Sequence, residues 1–262
     1  MESLQLEARC LGGEPQDPPL VILHGMLGSS RNWATAGADL ARGFQVWALD
    51  LRNHGNSPHH PEHSYTAMAA DLEAFRVQKG WPKMALLGHS MGGKTAMRYA
   101  VDHPEVVTRL AILDIGPGDH DPYHAREIEA LVNLPLERIE NRKVAEELLS
   151  ERVQDWAMRQ FLLTNLRRRE GVWGWQVNLP ALQKNLISLA KSPLLGGERF
   201  IGPTQLIRGA NSTFVSNDEV ALAKEFFPAL EEVTISRAGH NVHVENKVDF
   251  VKEVLRFLTG QS

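Results

Sequence analysis

Short apolar runs recur along the first half of this chain, and they limit its fold more than any other feature. Each run is followed by a turn and a longer mixed segment, and the runs occupy residues 20–23, 44–49, 84–87 and 110–113. Buried helix segments are the alternative, but runs this short favour strands. Because polar residues hardly alternate within the runs, we expect strands that are buried on both faces. The pattern predicts an α/β protein with a mostly parallel central sheet and helices on both faces.

The other segments show the apolar spacing of helices, with one long interruption of the strand pattern. Helices are predicted at residues 65–79 and 92–102, and again at 218–227 and 248–258, where strands at 204–207 and 232–235 also return. Between these two parts the periodicity is helical, at residues 123–132, 143–150, 154–164 and 179–190. We therefore expect residues 1–117 and 198–262 to form one core, with residues 118–197 inserted as a helical lid.

Charge and composition exclude several classes of protein. The 262 residues carry 28 Lys and Arg against 32 Asp and Glu, so the formal net charge is −4 and no basic field favours nucleic acid. The longest apolar runs are strand-sized, whereas a membrane-spanning helix needs about 20 apolar residues. The acidic start lacks the pattern of a secretion signal, and the single cysteine, Cys10, cannot form an internal disulfide. We expect a cytoplasmic protein, with an organelle left open, and the oligomeric state stays unknown.

A Gly-x-Ser-x-Gly sequence at residues 88–92 lies between a predicted strand and a predicted helix. In that context it predicts a nucleophile elbow, a tight turn that exposes the hydroxyl of Ser90. Gly88 and Gly92 would avoid collisions with neighbouring elements. The amide groups at the start of the following helix suit a developing oxyanion. A glycine-rich turn with an incidental serine is the alternative.

A serine nucleophile needs a base beside it and an acid behind the base. His240 is the candidate base, because it follows the predicted strand 232–235 and Gly239 lets the backbone turn towards the strand ends. His243 is its main competitor, although no glycine precedes it. We expect most of the other histidines to have no catalytic part.

The candidate acid is Asp114, which ends the predicted strand beside the nucleophile strand. No carboxylate directly follows the strand at 204–207, and Asp218 comes later, in what looks like a helix N-terminus. A loop cap is the alternative role for Asp114. The chain order Ser90, Asp114, His240 is the nucleophile, acid and base order of an α/β-hydrolase.

Further residues are expected to support these three. Ser212 is placed to hydrogen-bond the Asp114–His240 pair. The amides of Met91 and Met26 are the expected oxyanion donors, with Leu27 a less favoured second donor. His24 is expected to brace the loop that carries Met26.

Three groups of residues have structural interpretations that compete with functional ones. His59, His60 and His63 lie in a proline-rich loop, where we expect solvent exposure; the spacing of His60 and His63 suggests a metal, but no zinc-type ligand set accompanies them. Asp50 and Arg52 are expected to fix neighbouring loops. The apolar residues of the predicted lid either line an acyl pocket or simply pack together; these are Trp156, Phe161, Trp173, Trp175 and Leu182.

The combined motifs resemble those of the α/β-hydrolase superfamily over nearly the whole chain. They are His24 to Ser29, Asp50 to Ser57, Gly88 to Lys94 and Ala238 to His240. Within that superfamily, Gly88 to Lys94, Leu113 to Ile115 and Asn211-Ser212 look like small bacterial esterases with a reduced lid and their mitochondrial abhydrolase-domain relatives. The resemblance implies carboxylester hydrolysis, with the acid after the sixth strand and a serine near the acid's more usual place.

The sequence therefore predicts a serine hydrolase that cleaves small carboxylic esters through an acyl-enzyme on Ser90, without metal or organic cofactor. Other chemistry on the same triad stays open: C–C bond hydrolysis, thioester hydrolysis, perhydrolysis or lyase chemistry. A non-catalytic ligand-binding relative is a further alternative, although no predicted triad member is missing. The preferred ester and its acyl chain length are left open.

Overall fold

A computed structural model describes residues 2–260 of the chain. These described residues form nine strands, which we number in chain order: β1 Ala8–Gly12, β2 Pro19–Leu23, β3 Gln45–Leu49, β4 Met84–His89, β5 Val107–Leu113, β6 Leu166–Arg169, β7 Val172–Trp175, β8 Thr204–Gly209 and β9 Leu230–Ile235. Seven of them form one sheet in the order β1-β3-β2-β4-β5-β8-β9. Only the edge strand β1 runs antiparallel to its neighbour, β3. The predicted mostly parallel sheet is present.

Residues 2–260 also form ten α-helices: α1 Ala34–Leu40, α2 Tyr65–Lys79, α3 Met91–Asp102, α4 Ala125–Val132, α5 Arg142–Ser150, α6 Trp156–Leu163, α7 Leu179–Leu189, α8 Asn217–Phe226, α9 Val242–Glu245 and α10 Lys247–Thr259. All eight predicted helices are found, with ends shifted by at most two residues, which is the usual uncertainty of helix boundaries. The sequence analysis missed α1, α9 and strand β1. No helix in the described residues is both long and apolar enough to cross a membrane.

Each face of the sheet has its own apolar core. Side chains of α2, α3 and α8, such as Leu72, Met97 and Val220, pack on one face. Side chains of α1 and α10, such as Leu40 and Phe250, pack on the other. The central strands β2 and β4 are buried along almost their whole length, as strands covered by helices on both sides should be.

The segment between β5 and β8, which we call the inserted segment (residues 118–197), contains helices α4 to α7 and a small hairpin. Its buried residues, among them Leu131, Leu162 and Leu182, form a third apolar cluster that also includes Leu27 from the loop after β2. The expectation of helical periodicity throughout was wrong at residues 166–175, where β6 and β7 pair antiparallel. The run of three arginines at 167–169 lies in β6.

One buried lysine connects the inserted segment to the sheet helices. Lys94, on α3, donates hydrogen bonds to the carbonyl of Gly118 at 2.6 Å and to that of Lys191 at 3.1 Å. Burial lowers the pKa of Lys94 to about 8, while Glu219 and Asp119 act in the opposite direction. Glu219 in turn accepts a hydrogen bond from the amide of Gly118. Both ends of the inserted segment are thus fixed to the same helix.

Candidate active site

Ser90 lies on the tight turn between β4 and α3, with φ 52° and ψ −119°. A positive φ is strained for a serine, and such strain is concentrated at functional sites. The neighbouring glycines make the turn possible: a Cβ on Gly88 would lie 2.3 Å from the carbonyl oxygen of Gly92, and one on Gly92 would lie 2.4 Å from that of Leu23. Within the described chain the Ser90 hydroxyl makes no capping bond to α3, so Oγ stays available.

Asp114 and His240 form a hydrogen-bonded pair. His240 Nδ1 lies 2.8 Å from Asp114 Oδ2, and the Asp114 side chain is completely buried whereas that of His240 is 18% exposed. Because Nδ1 faces a carboxylate, it carries the ring proton and donates a hydrogen bond to Asp114. Nε2 is then the unprotonated nitrogen of the neutral ring and can accept a proton. The imidazole therefore has the tautomer that a general base requires.

Two further donors hold the carboxylate of Asp114. Ser212 Oγ donates to Oδ2 at 2.5 Å, and the amide of Gly209 donates to Oδ1 at 3.0 Å. Ser212 itself accepts from the amide of Phe214 at 3.2 Å. The predicted contact of Ser212 with the Asp114–His240 pair is present. The alternative role of Asp114 as a loop cap does not account for the imidazole on Oδ2.

Four adjacent strands bring these residues together. Ser90 follows β4, Asp114 follows β5, Ser212 follows β8 and His240 follows β9, and these strands are neighbours in the sheet. The amide of Ser90 donates to the carbonyl of Leu113 at 3.0 Å, so the ladder continues up to the nucleophile turn. Parallel strands end at one edge, and ligand sites of open α/β sheets lie at that edge.

His89 fixes the backbone of the candidate base, a contact that the sequence analysis did not identify. Its Nε2 lies 3.0 Å from the carbonyl oxygen of His240, and burial lowers the pKa of His89 well below its ordinary value. His89 is therefore neutral and donates one hydrogen bond to the loop that carries His240. Phe214 stacks on the His240 ring, with ring centres 3.7 Å apart.

The loop after β2 presents Met26 beside Ser90. The amide of Leu27 donates to His54 Nε2 at 3.1 Å, so it is not free to bind an oxyanion. The amide of Met26 has no hydrogen-bond acceptor within residues 2–260, and the amide of Met91 begins helix α3. His24 braces this loop as predicted, because its Nε2 accepts from the amide of Leu51 at 3.0 Å.

Asp50 and Arg52 fix the next loop, as predicted. Asp50 accepts hydrogen bonds from the amides of Ser30 at 2.7 Å and Asn56 at 2.9 Å. Arg52 forms a fully buried two-point ion pair with Asp71, at 2.6 and 2.8 Å. The loop is therefore held by charge-assisted contacts.

The expected exposure of the three histidines was wrong for His63, which is completely buried. Burial lowers the pKa of His63 to about 3, with a smaller effect from the nearby charge of Arg52. His243, the competitor for the base, is also buried; it stacks on Trp33 with ring centres 4.2 Å apart, and its Nδ1 has no hydrogen-bond partner among the described residues, whereas His240 is the histidine bonded to Asp114. Among residues 2–260, no group of three or more His, Cys, Asp or Glu is arranged to hold a metal ion.

Two cavities meet at Ser90. The larger, of about 580 Å³, is lined by Ser90, His240, the loop after β2 and residues of α6 and α9. The smaller, of about 20 Å³, is lined by Ser90, Met91, Tyr65 and residues of α7. Met26, Ser90 and His124 line both. The candidate nucleophile therefore lies at the boundary between two spaces of very different size.

Few of the apolar residues that we considered for an acyl pocket reach these cavities. Phe161 lines the larger one. Leu182 is buried in the core of the inserted segment, where Trp173 and Trp175 also pack. Trp156 is 65% exposed. Four of the five side chains therefore stabilise the inserted segment or face solvent.

Comparison with known proteins gives consistent results. A family model described as alpha/beta hydrolase fold matches residues 18–247. The sn-1-specific diacylglycerol lipase ABHD11 of Mus musculus is 37% identical over 267 residues, which covers 98% of this chain and 86% of that protein. Esterase YbfF of Escherichia coli (strain K12) is 29% identical, with 97% and 98% covered. A solved structure described as a marine microorganism esterase has a TM-score of 0.93 and 36% identity, covering 97% of this chain and 100% of that chain.

Proposed function

Since the chain belongs to the α/β-hydrolase fold family, we propose that it is a serine hydrolase of small carboxylic esters that works through an acyl-enzyme on Ser90. Family membership confirms the predicted fold class, and the named relatives are esterases and lipases, which makes this chain a hydrolase of that general kind. The substrate class, the covalent intermediate and the roles of single residues belong to the proposal.

In the first step, Ser90 Oγ attacks the ester carbonyl carbon while His240 Nε2 takes the hydroxyl proton. Asp114 accepts from Nδ1 and stabilises the imidazolium that forms. The negative charge that develops on the carbonyl oxygen is bound by the amides of Met26 and Met91. When the tetrahedral intermediate collapses, the imidazolium gives its proton to the leaving alkoxide, and the alcohol departs.

In the second step, water replaces the alcohol. His240 takes a proton from the water, the hydroxide attacks the acyl carbon, and the proton returns to Ser90 Oγ as the carboxylic acid leaves. Ser212 and the amide of Gly209 keep the Asp114 carboxylate aimed at Nδ1 throughout. No metal or organic cofactor takes part in these steps.

One observation carries this proposal. A strained serine and a histidine with a carboxylate-fixed tautomer line the same cavity, at the carboxyl ends of adjacent parallel strands. Burying a carboxylate costs stability unless its charge is fully compensated, and the three donors around Asp114 supply that compensation in an arrangement that also fixes the imidazole of His240. A ligand-binding relative without catalysis would not need this arrangement.

We further propose that residues 118–197 act as a lid over the site, with the core formed by residues 1–117 and 198–262. Supporting this, the inserted segment has its own apolar core, and its helices α6 and α7 line the two cavities beside Ser90. Substrate selection would then depend on this segment, while the chemistry depends on the sheet edge.

The test uses the variant Ser90→Ala and a fluorophosphonate probe, which labels activated serines. The wild-type protein should hydrolyse p-nitrophenyl acetate and should be labelled once per chain. Ser90→Ala should lose both properties while its circular dichroism spectrum stays that of the wild type. Turnover or labelling that persists in a folded Ser90→Ala protein would contradict the proposal.

A further inference from the structure

Building on the proposed function, we infer that the two cavities beside Ser90 bind different parts of the ester, and that the ester binds in one orientation. The small cavity takes the acyl group and the large one takes the alcohol. The preferred substrates are then acetyl-sized esters of bulky, apolar, uncharged alcohols. This names the substrate class from the geometry around Ser90.

The direction follows from where the proton is delivered. The imidazolium of His240 must protonate the leaving oxygen, so the alcohol has to lie on the His240 side of Ser90. His240 lines the large cavity and does not line the small one, as far as the described residues show. Because the carbon of the tetrahedral intermediate has four substituents, the acyl chain then points away from His240. The small cavity, whose described lining lacks His240, is the space that then receives the acyl chain.

The size of the acyl side limits the acid. Its volume of about 20 Å³ compares with about 10–15 Å³ needed to hold one water molecule, so it accepts a methyl group and little more. Its buried apolar walls are Met91, Leu186, Leu189 and Tyr65, and the rest of its lining includes His120, Pro122, Tyr123 and His124. Tyr65 donates from its hydroxyl to the carbonyl of Leu189 at 2.6 Å, which fixes α7 against α2 and keeps the space small. A longer acyl chain that extends towards α2 and α7 would have to displace the buried side chains of Tyr65, Leu186 or Leu189.

The lining of the alcohol side selects for apolar and uncharged groups. Trp33, Met158, Phe161 and Phe214 supply apolar walls around a volume of about 580 Å³. Asp155 and Glu245 also line this cavity, and no described lining residue is Lys or Arg. A phosphorylated or otherwise anionic alcohol would therefore meet two carboxylates without a compensating cation.

The primary experiment uses two isomeric esters with the wild-type enzyme. 2-Naphthylmethyl acetate has a small acyl group and a bulky alcohol, whereas methyl 2-naphthylacetate reverses that division with the same atoms. We expect kcat/KM to be at least about 10-fold higher for the acetate, because mismatched apolar groups of this kind change specificity by roughly 10- to 200-fold per methylene. Equal rates, a faster methyl ester, or a labelled enzyme that cleaves neither isomer would overturn the inference.

A variant in the wall of the small cavity tests whether that cavity binds the acyl group. Leu186→Ala should raise the ratio of kcat/KM for 2-naphthyl butyrate to that for 2-naphthyl acetate by about 10-fold, since it removes a wall of the small cavity. Ile187→Ala is the matched control, because Ile187 is the next residue on α7 and is 74% exposed. An unchanged ratio in folded Leu186→Ala, or an equal change in the control, would count against the assignment.

The same assays separate this inference from the proposed function. Absence of fluorophosphonate labelling in the wild-type protein would contradict the proposed acyl-enzyme mechanism on Ser90. Labelling and turnover with the opposite isomer preference would leave the serine mechanism in place and reverse the direction of binding.

Discussion

Asp114 is the residue on which the candidate site most depends. Its two carboxylate oxygens accept three hydrogen bonds, from Gly209, Ser212 and His240, although the side chain is fully buried and its backbone has a positive φ of 52°. A residue in a strained conformation persists only when its surroundings determine it. The three hydrogen-bond donors hold Asp114 in this strained conformation.

Replacing this carboxylate tests the role of the acid. Asp114→Asn should lower kcat for p-nitrophenyl acetate by about 10⁴-fold, because an amide that donates to Nδ1 stabilises the wrong imidazole tautomer. Asp218→Asn is the control, since Asp218 lies in the first turn of α8, away from His240. A small decrease of kcat in Asp114→Asn, or a comparable decrease in Asp218→Asn, would contradict the assignment of Asp114 as the acid.

Sequence reasoning predicted the residues of the candidate site where their motifs follow the ends of strands. Ser90, Asp114 and His240 follow recognisable apolar runs, and parallel strands bring their carboxyl ends to one edge. The burial of His63 was missed because a proline-rich loop resembles an exposed one until the inserted segment covers it. The stacking of Phe214 on His240 had no local signal, because it depends on how the loop after β8 folds back.

The unit of β4, turn and α3 tolerates no side chain at its glycines. Gly92→Ala should lower the free energy of unfolding by about 3 kcal/mol or more, because the new Cβ meets backbone oxygens of Leu23 and His24 at 2.4 and 2.6 Å. Gly174→Ala is the control, since no described atom lies within 4 Å of the position of its Cβ. Urea unfolding measures both. Equal midpoints for the two variants would show that the turn can relax.

The hairpin of β6 and β7 explains why the inserted segment was predicted as helical only. Strand β6 has the sequence Leu-Arg-Arg-Arg, which lacks the alternation that marks a half-buried strand. Its turn is made by Glu170 and Gly171, both with positive φ, at 49° and 85°. Two positive φ values are typical of a type I′ hairpin turn, but Glu is not a residue that predicts one.

The contacts of Lys94 with the ends of the inserted segment give a prediction for that element. Lys94→Met should lower the free energy of unfolding by about 1–3 kcal/mol, because the carbonyls of Gly118 and Lys191 lose a charged donor. Lys184→Met, an exposed lysine on α7, should change it by less than about 0.5 kcal/mol. Thermal or urea unfolding of the two variants provides the comparison. Similar free energies of unfolding would show that the hydrogen bonds of Lys94 to the inserted segment do not stabilise the protein.

At the scale of the whole molecule, buried neutral histidines make stability depend on pH. Burial lowers the pKa of His63 and His243 to about 3, from an ordinary value of 6.5. For these groups the unfolded chain binds more protons between pH 6.5 and 3, so stability is lost as pH falls through that range. From these pKa values, each histidine should cost roughly 2 kcal/mol at pH 5 relative to pH 7.5.

A pair of variants tests this pH dependence. His63→Gln should reduce the difference in unfolding free energy between pH 7.5 and pH 5 by roughly 2 kcal/mol, because it removes the group that must be protonated. His59→Gln should leave that difference unchanged, since His59 is exposed in the same loop. A His63→Gln protein with the full wild-type difference would assign the acid sensitivity to other groups.

The global architecture was predictable because burial on both faces leaves a clear mark in composition. Runs such as residues 20–23 and 84–87 have almost no polar residue, and short runs of this kind predict a parallel sheet covered on both faces. The contacts that hold the inserted segment were not predictable, because those with Leu27 and Lys94 join parts of the chain that are far apart in sequence.

The placement of His89 directly before Ser90 has a mechanical consequence. One residue carries the nucleophile, and its neighbour in the chain holds the carbonyl of His240 at 3.0 Å. If the end of β4 shifts relative to the rest of the sheet, the nucleophile and the anchor of the base shift together as one rigid body. Small movements of the strand ends should therefore change the distance between Ser90 Oγ and His240 Nε2 less than they would without this contact.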